Sequence, residues 1–219
     1  MRDLGTGYSR TGRTVITFLK YQNLTKDVLK MQINNGFFVG IDPSLTATGL
    51  VMIDNFGKLT HSKIISPKLS GPARLAYIRD SVYTELSEFL SKPNLICIEH
   101  YAMGCKFGRE AAGELGGVLR VLFYENESEY LEIPPLRLKQ YATGKATAEK
   151  DHILMAVYKK WGVEFNKNDE ADAFILAQMA RTIYLMQNGQ AETLNLTAYE
   201  REVIENILNP AKKPKKKAI

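Results

Sequence analysis

Residues 37–54 read FFVGIDPSLTATGLVMID, and the reading of this stretch decides the fold. Phe37-Phe38-Val39-Gly40-Ile41 is an apolar run of strand length that ends in a carboxylate, Asp42. A small polar bend follows, closed by Gly49, and Leu50-Val51-Met52-Ile53 begins a second apolar run. Two readings compete. Asp42-Pro43-Ser44 is an ordinary turn if Asp opens it and Pro presets φ. Alternatively, this is a hairpin whose first strand holds a carboxylate rigidly at its end. A half-buried carboxylate is costly unless it is paired or bound to a cation, so the second reading requires partners elsewhere in the chain.

The pattern beyond the hairpin sets the fold class. Strands are expected at 37–42, 49–54 and 59–66, with Asn55-Phe56-Gly57 as a turn. Pro72 opens a helical run in which Leu75, Ile78, Val82 and Leu86 share a face. A short apolar strand, Leu95-Ile96-Cys97-Ile98, ends at Glu99. A glycine-containing helix over 109–124, a strand over 130–133 and a short helix from Pro134-Pro135 to Gly144 follow. Helices are then expected over 148–161, 169–187 and 198–208. A strand meander that gives way to alternating helices and strands predicts an α/β fold: a mixed sheet with helices on its faces.

Composition narrows the function classes. The chain has 219 residues, 45% hydrophobic and 24% charged, enough for a sizeable core and unlike a disordered chain. The net charge of +5 is unevenly spread. Residues 1–31 and 201–219 each carry six Lys/Arg against two Asp/Glu, which leaves the body at −3. An acidic body with basic ends suits a nucleic-acid enzyme with a carboxylate metal site; solubilising ends are the plainer reading. Cys97 and Cys105 lack disulfide or zinc-ligand patterning, so a reducing, cytoplasmic setting is expected. No run approaches the length of a membrane span, and the N-terminal stretch lacks the apolar core of a signal peptide. Three regions are expected: a basic extension over 1–35, a catalytic domain over 36–190, and a C-terminal helix with a lysine-rich tail over 191–219.

The partners demanded by Asp42 can be found. The strand ending at Glu99 repeats the same design, and NDEADA places Asp169 and Asp172 three apart, on one helix face. Ala171, Ala173 and Ala177 are small enough to let that helix lie close to a sheet, while Glu170 points elsewhere. Clustered acids raise each other's pKa unless a cation neutralises them. Hard oxygen donors of this kind suit Mg²⁺ or Mn²⁺. Two such ions about 3.5–4 Å apart can clamp both oxygens of a phosphoryl displacement. Each acid alone is a weak signal, since Asp169 and Asp172 also suit a helix N-terminus. The conjunction is what points to metal chemistry.

These segments carry a family resemblance. GIDPSLTATG with Asp42, ICIEHYAM with Glu99, KQYATGKATAEK with Lys139 and Lys150, and DEADA with Asp169 and Asp172 resemble, in order, the motifs of RuvC-family Holliday-junction resolvases of the RNase H-like superfamily. The resemblance covers roughly residues 37–185 and has the look of a bacteriophage or viral member. It implies an RNase H-like five-stranded mixed sheet with helices on both faces. It also implies a Mg²⁺-dependent endodeoxyribonuclease, with Mn²⁺ as a substitute, acting as a homodimer on four-way DNA junctions. Asp42, Glu99, Asp169 and Asp172 would hold two ions, Lys150 would stabilise charge at the scissile phosphate, and Lys139 would hold the DNA backbone. A lone cation opening a helix, as Lys150 does, wants an anionic partner, although a solvated helix face explains it as well. Thr143-Gly144-Lys145 could bend toward phosphates, and a helix C-cap explains Gly144 equally.

One departure concerns the aromatic wedge found in some family members three residues after the second acid. Ala102 holds that position, leaving Tyr101 and Phe107 as substitutes. Lys212, Lys213, Lys215, Lys216 and Lys217 form a cationic tail suited to nonspecific phosphate contact. Three alternatives stand beside the resolvase: a nuclease with broader taste for flaps and Y-forks, an inactive DNA-binding module, and an actin-like ATPase lobe. The last normally needs two lobes.

Overall fold

The computed structural model describes residues 36–87, 93–100 and 109–210. The expectations for residues 1–35, Tyr101, Phe107 and the lysine tail lie outside the described residues. Five strands are present among the described residues: β1 (Phe37–Asp42), β2 (Thr48–Asp54), β3 (Leu59–Ile65), β4 (Leu95–Glu99) and β5 (Tyr130–Ile133). They form one sheet in the order β3-β2-β1-β4-β5. The β1–β2 and β2–β3 pairs are antiparallel, whereas β1–β4 and β4–β5 are parallel. The helices are α1 (Gly71–Ser87), α2 (Arg109–Glu125), α3 (Pro135–Thr143), α4 (Lys150–Trp161), α5 (Asn168–Gln187) and α6 (Ala198–Leu208). This is the mixed, helix-covered sheet of an RNase H-like fold.

Strand periodicity divides the core between the two faces of the sheet. Phe38, Val51, Ile53, Leu95 and Cys97 face one way and join the buried side chains of α3, α4, α5 and α6. Val39, Ile41, Leu50, Met52, Ile96 and Ile98 face the other way and pack on Ile78 and Val82 of α1 and Leu115 and Leu119 of α2. A sheet covered on both faces needs apolar residues at nearly every central position, which is why β1, β2 and β4 read as continuous apolar runs.

Helix α5 is the central helix of its layer. Most of its residues are buried, including Phe174, Ile175, Leu176, Met179 and Ile183, as expected for a helix that is apolar nearly all round. Phe174 meets Trp161 edge-on at 5.6 Å and Phe165 at 5.5 Å between ring centroids. Truncating a buried aromatic of this kind costs about 3–5 kcal/mol. Tyr141 of α3 bonds Thr182 of α5 at 2.9 Å between hydroxyl oxygens, so the polar tip of a buried ring is satisfied.

Helix α6 packs onto the same layer. Thr197 and Glu200 form a capping box at its start, which satisfies two N-terminal backbone donors reciprocally. Glu200 is fully buried and pairs with Lys160 of α4. Val203 and Ile204 enter the core shared by α3, α4 and α5.

Candidate active site

The bend of the opening stretch is held by its own side chains. Thr48 Oγ1 donates to the Ser44 carbonyl at 2.7 Å and accepts from the Ser44 N–H at 3.1 Å. Ser44 Oγ lies within hydrogen-bond distance of the Thr46 and Ala47 backbone N–H groups. These bonds close the bend without using Asp42, so its carboxylate is free for another task.

Asp42 and Glu99 end neighbouring parallel strands. The register pairs Gly40 with Cys97 and Ile41 with Ile98. The next residues, Asp42 and Glu99, therefore stand side by side at the C-terminal edge of the sheet, where open α/β sheets bind ligands. The N-terminal end of α5 supplies the other two acids, Asp169 in its first turn and Asp172 in the next. A Cβ on Gly40 would stand 1.9 Å from the Ala173 carbonyl oxygen, and one on Gly49 would stand 2.2 Å from that of Asp169. Gly49 is also the register partner of Asp42. Two glycines in the hairpin and the alanines of α5 thus let a helix lie directly on the strands, with Asp169 over the end of β1. Glu170 does point elsewhere: it accepts a hydrogen bond from Ser62 of β3 at 2.8 Å. This contact ties the first turn of α5 to a third strand.

The electrostatics record the crowding. Burial, then the charge and hydrogen bond of Glu99 and the charge of Asp169, hold Asp42 well above its usual range, with Lys150 opposing. Glu99 is raised by burial and by Asp172; its hydrogen bond with Asp42 and the charges of Lys139 and Lys150 pull the other way. Asp172 is pushed up to about 7 by burial first and then by Asp42 and Asp169, against Lys139 and Lys150. Its Oδ1 is buried with no hydrogen-bond partner among the described residues.

A hard divalent cation fits this donor set. The donors are carboxylate oxygens, they are buried beside one another, one oxygen is orphaned, and burial together with like charge is what a bound cation would offset. As they stand, no group of three His, Cys, Asp or Glu side chains among the described residues is arranged to hold a metal ion. The acids are electrostatic neighbours, with Asp42 and Glu99 hydrogen-bonded to each other.

The structure brings some DNA-contact residues together and separates others. Lys150 is the first residue of α4 and Lys139 lies on α3; both act on Glu99 and Asp172. Gly144 has φ 77° and its N–H bonds the Gln140 carbonyl, so the C-cap reading of this glycine is realised. Thr143 Oγ1 accepts from the Lys145 N–H at 3.1 Å, which stiffens the same turn. Lys145 is exposed there. Two features escaped the reading of the sequence. Gly40 and Gly49 matter for close approach, yet their counterparts lie more than a hundred residues downstream. Glu132, on β5, gathers Arg120 at 3.2 Å and His100 at 3.4 Å immediately beside Glu99. Alternation along β4 makes His100 legible as pointing away from Glu99, but nothing local announces Glu132.

Comparison with known proteins agrees with this arrangement. Residues 38–180 match the family model of crossover junction endodeoxyribonuclease RuvC. The crossover junction endodeoxyribonuclease RuvC of Caldicellulosiruptor saccharolyticus is 31% identical over 151 residues, 64% of this chain and 88% of that protein. The Thermus thermophilus RuvC structure superposes with a TM-score of 0.55 at 23% identity, covering 70% of this chain and 97% of that one. The same protein in complex with Holliday junction substrate gives 0.57 at 20% identity, covering 71% and 97%. No helix among the described residues is long and apolar enough to cross a membrane. With the family model matching well over half of its length, the chain belongs to the RuvC family of crossover junction endodeoxyribonucleases.

Proposed function

We propose that this protein resolves four-way DNA junctions by divalent-metal-dependent hydrolysis of phosphodiester bonds, with Asp42, Glu99, Asp169 and Asp172 holding two Mg²⁺ ions. Mn²⁺ is an equivalent occupant. The observation that carries this reading is the mutual elevation of Asp42, Glu99 and Asp172 beside an orphaned Asp172 oxygen. When bound, such ions polarise the scissile phosphate and lower the pKa of the attacking water. The carboxylates orient the reacting phosphate through the ions and are rigid because two strands and a packed helix hold them. Lys150, at the mouth of the site, stabilises the charge that develops on the phosphate. Lys139 and the turn Thr143-Gly144-Lys145 hold the adjoining backbone. Tyr101 or Phe107 serves as the wedge at the branch point, and the lysines of 212–217 bind phosphates without regard to sequence.

A homodimer places two such sites against the two strands of a two-fold junction. Helix α2 offers a face for it. Among the described residues nothing lies within 4 Å of a Cβ built on Gly113 or Gly117, and Val121 and Tyr124, next along the same helical stripe, are 53% and 83% exposed.

The test is a cleavage assay on a four-way junction, a flap and linear duplex, with Mg²⁺ and with EDTA. Junction cleavage that needs Mg²⁺ and is abolished by Asp42→Asn, with junction binding retained, is the expected result. Full activity in EDTA or in the variant would sink the assignment. Equal cutting of all three substrates would replace a resolvase with a general nuclease.

A further inference from the structure

The ladder that joins β1 to β4 stops just short of the acids. Its register runs from Phe38↔Leu95 to Ile41↔Ile98, one residue before Asp42 and Glu99. Beyond Ile98 the register continues on the other side of β4, with β5. There Glu132 pairs with Ile98 and Ile133 with Glu99, and the His100 N–H donates to the Ile133 carbonyl at 2.9 Å. The place of Glu99 beside Asp42 therefore depends on how β5, a four-residue strand at the sheet edge, holds the end of β4. We infer that Glu132 is a positioning residue for the metal site, fixing Glu99 by clamping the end of β4 to β5 and α2. The inference rests on the reading of Asp42 and Glu99 as metal ligands.

The clamp lies on the sheet face opposite the acids. Successive strand residues alternate between faces. Ile98 belongs to the core under α1 and α2, and Ile133 to the core under α5. Glu132, the register partner of Ile98, thus faces α2, and Glu99, the partner of Ile133, faces α5. Glu132 bridges two elements. Its Oε2 lies 3.4 Å from His100 Nε2, and its Oε1 accepts from Arg120 Nη1 at 3.2 Å. Arg120 belongs to α2, whose Leu115, Leu119 and Phe123 are buried against the sheet, so the far end of the bridge is anchored in the core. Gly116 leaves room for it: a Cβ there would stand 3.4 Å from Arg120 Nη1. All three side chains are half-buried. Ion pairs partly open to solvent add little to global stability, but they matter locally at a strand end that few other contacts secure. Glu132 acts on Glu99 through His100, the next residue along the chain. Partners one step removed from a metal orient its ligands in this way.

The test reads metal binding without DNA and without turnover. Mn²⁺ binding to the full chain is followed by electron paramagnetic resonance, and Tm in EDTA and amide hydrogen exchange are recorded on the same variants. Glu132→Ala should weaken Mn²⁺ binding roughly tenfold, the lower end of what loss of an outer partner costs a metal site. Exchange at the His100 amide should quicken, while Tm in EDTA stays within about 3 °C of wild type. His100→Ala breaks the same tie from its other end and should lose as much. The double change should lose no more than either single one, because both act through one contact. Unchanged Mn²⁺ affinity in the two single variants, additive losses in the double one, or a loss matched by a larger fall in Tm would overturn the inference. Asp42→Asn is measured alongside to separate the two readings. If it binds Mn²⁺ as the wild type does, the acids are not the metal site and that reading fails. If it loses Mn²⁺ while Glu132→Ala and His100→Ala keep it, the metal site stands and the clamp alone is refuted.

Discussion

Replacing Gly49 by Ala adds one methyl group and should disable catalysis while leaving the molecule folded. The new Cβ would stand 2.2 Å from the Asp169 carbonyl oxygen and 2.7 Å from its carbonyl carbon. Ordinary contact begins at 3.4 Å, so the first turn of α5 must retreat by about 1.2 Å, and backbone cannot rotate aside as a side chain does. Overpacking of this kind costs about 1–3 kcal/mol, which a domain of this size survives. The site does not tolerate it as well, because Asp169 and Asp172 ride on the displaced turn and an error near 1 Å costs on the order of 100-fold in rate. Mg²⁺-dependent junction cleavage under saturating protein should therefore fall about 100-fold, with junction affinity in EDTA within a few-fold of wild type. A Gly49→Ala protein that cleaves at the wild-type rate would refute the claim that close approach of α5 positions the acids.

Other outcomes follow from the same geometry. Asp172 is raised from an ordinary 3.8 to about 7, so the native state binds the extra proton between those values. Its contribution to ion-free stability is present at low pH and lost as pH rises toward 7, and Mg²⁺ should raise Tm more at pH 8 than at pH 5; equal shifts at both would contradict it. Lys150→Ala should slow single-turnover cleavage more than it weakens binding, because a charge acting on the transition state changes the chemical step; unchanged single-turnover rates would rule that role out. Val121→Glu should give a monomer by sedimentation, and a dimer persisting through that change would remove α2 as the interface. Deleting residues 211–219 should flatten the salt slope of junction and duplex binding alike by roughly 2–4, and loss of junction preference alone would show that the tail is not a nonspecific arm.

How much of this was legible in the chain depends on how local the signal is. Asp42 and Glu99 stand out because each interrupts an apolar run of strand length, and an unpartnered charge there is costly. Asp169 and Asp172 stand out through their spacing, and the alanines beside them announce a close approach. The surface approached could not be read. Gly49 looks like hairpin punctuation, and its duty is set by the carbonyl of Asp169. Likewise, Ser62 steadies α5 through Glu170, 108 residues away, and a lone serine in a strand carries no mark of that. The Thr197–Glu200 capping box is local and readable, yet the same Glu200 is buried against Lys160. That pairing belongs to the tertiary fold.

The placement of the acids also explains why so much packing surrounds them. Without an ion, burial and like charge raise three carboxylates, and Asp42 and Glu99 hydrogen-bond each other. Such a cluster would spread apart on a flexible loop. Here it cannot. Asp42 and Glu99 are continuations of paired strands, and Asp169 and Asp172 begin a helix whose remaining length is locked into the core. On the proposed function, burial and repulsion held in place this way would favour a bound cation. Lys139 and Lys150 lower the cost only in part, since all three acids remain raised in their presence. Were the lysines closer, they would neutralise the acids and remove the demand for an ion. On the proposed function, Lys139 of α3 and Lys150 of α4 would leave the carboxylates to the metal and keep their own charge for the phosphate. On that reading the two helices would separate two electrostatic tasks, which a single mixed cluster would cancel.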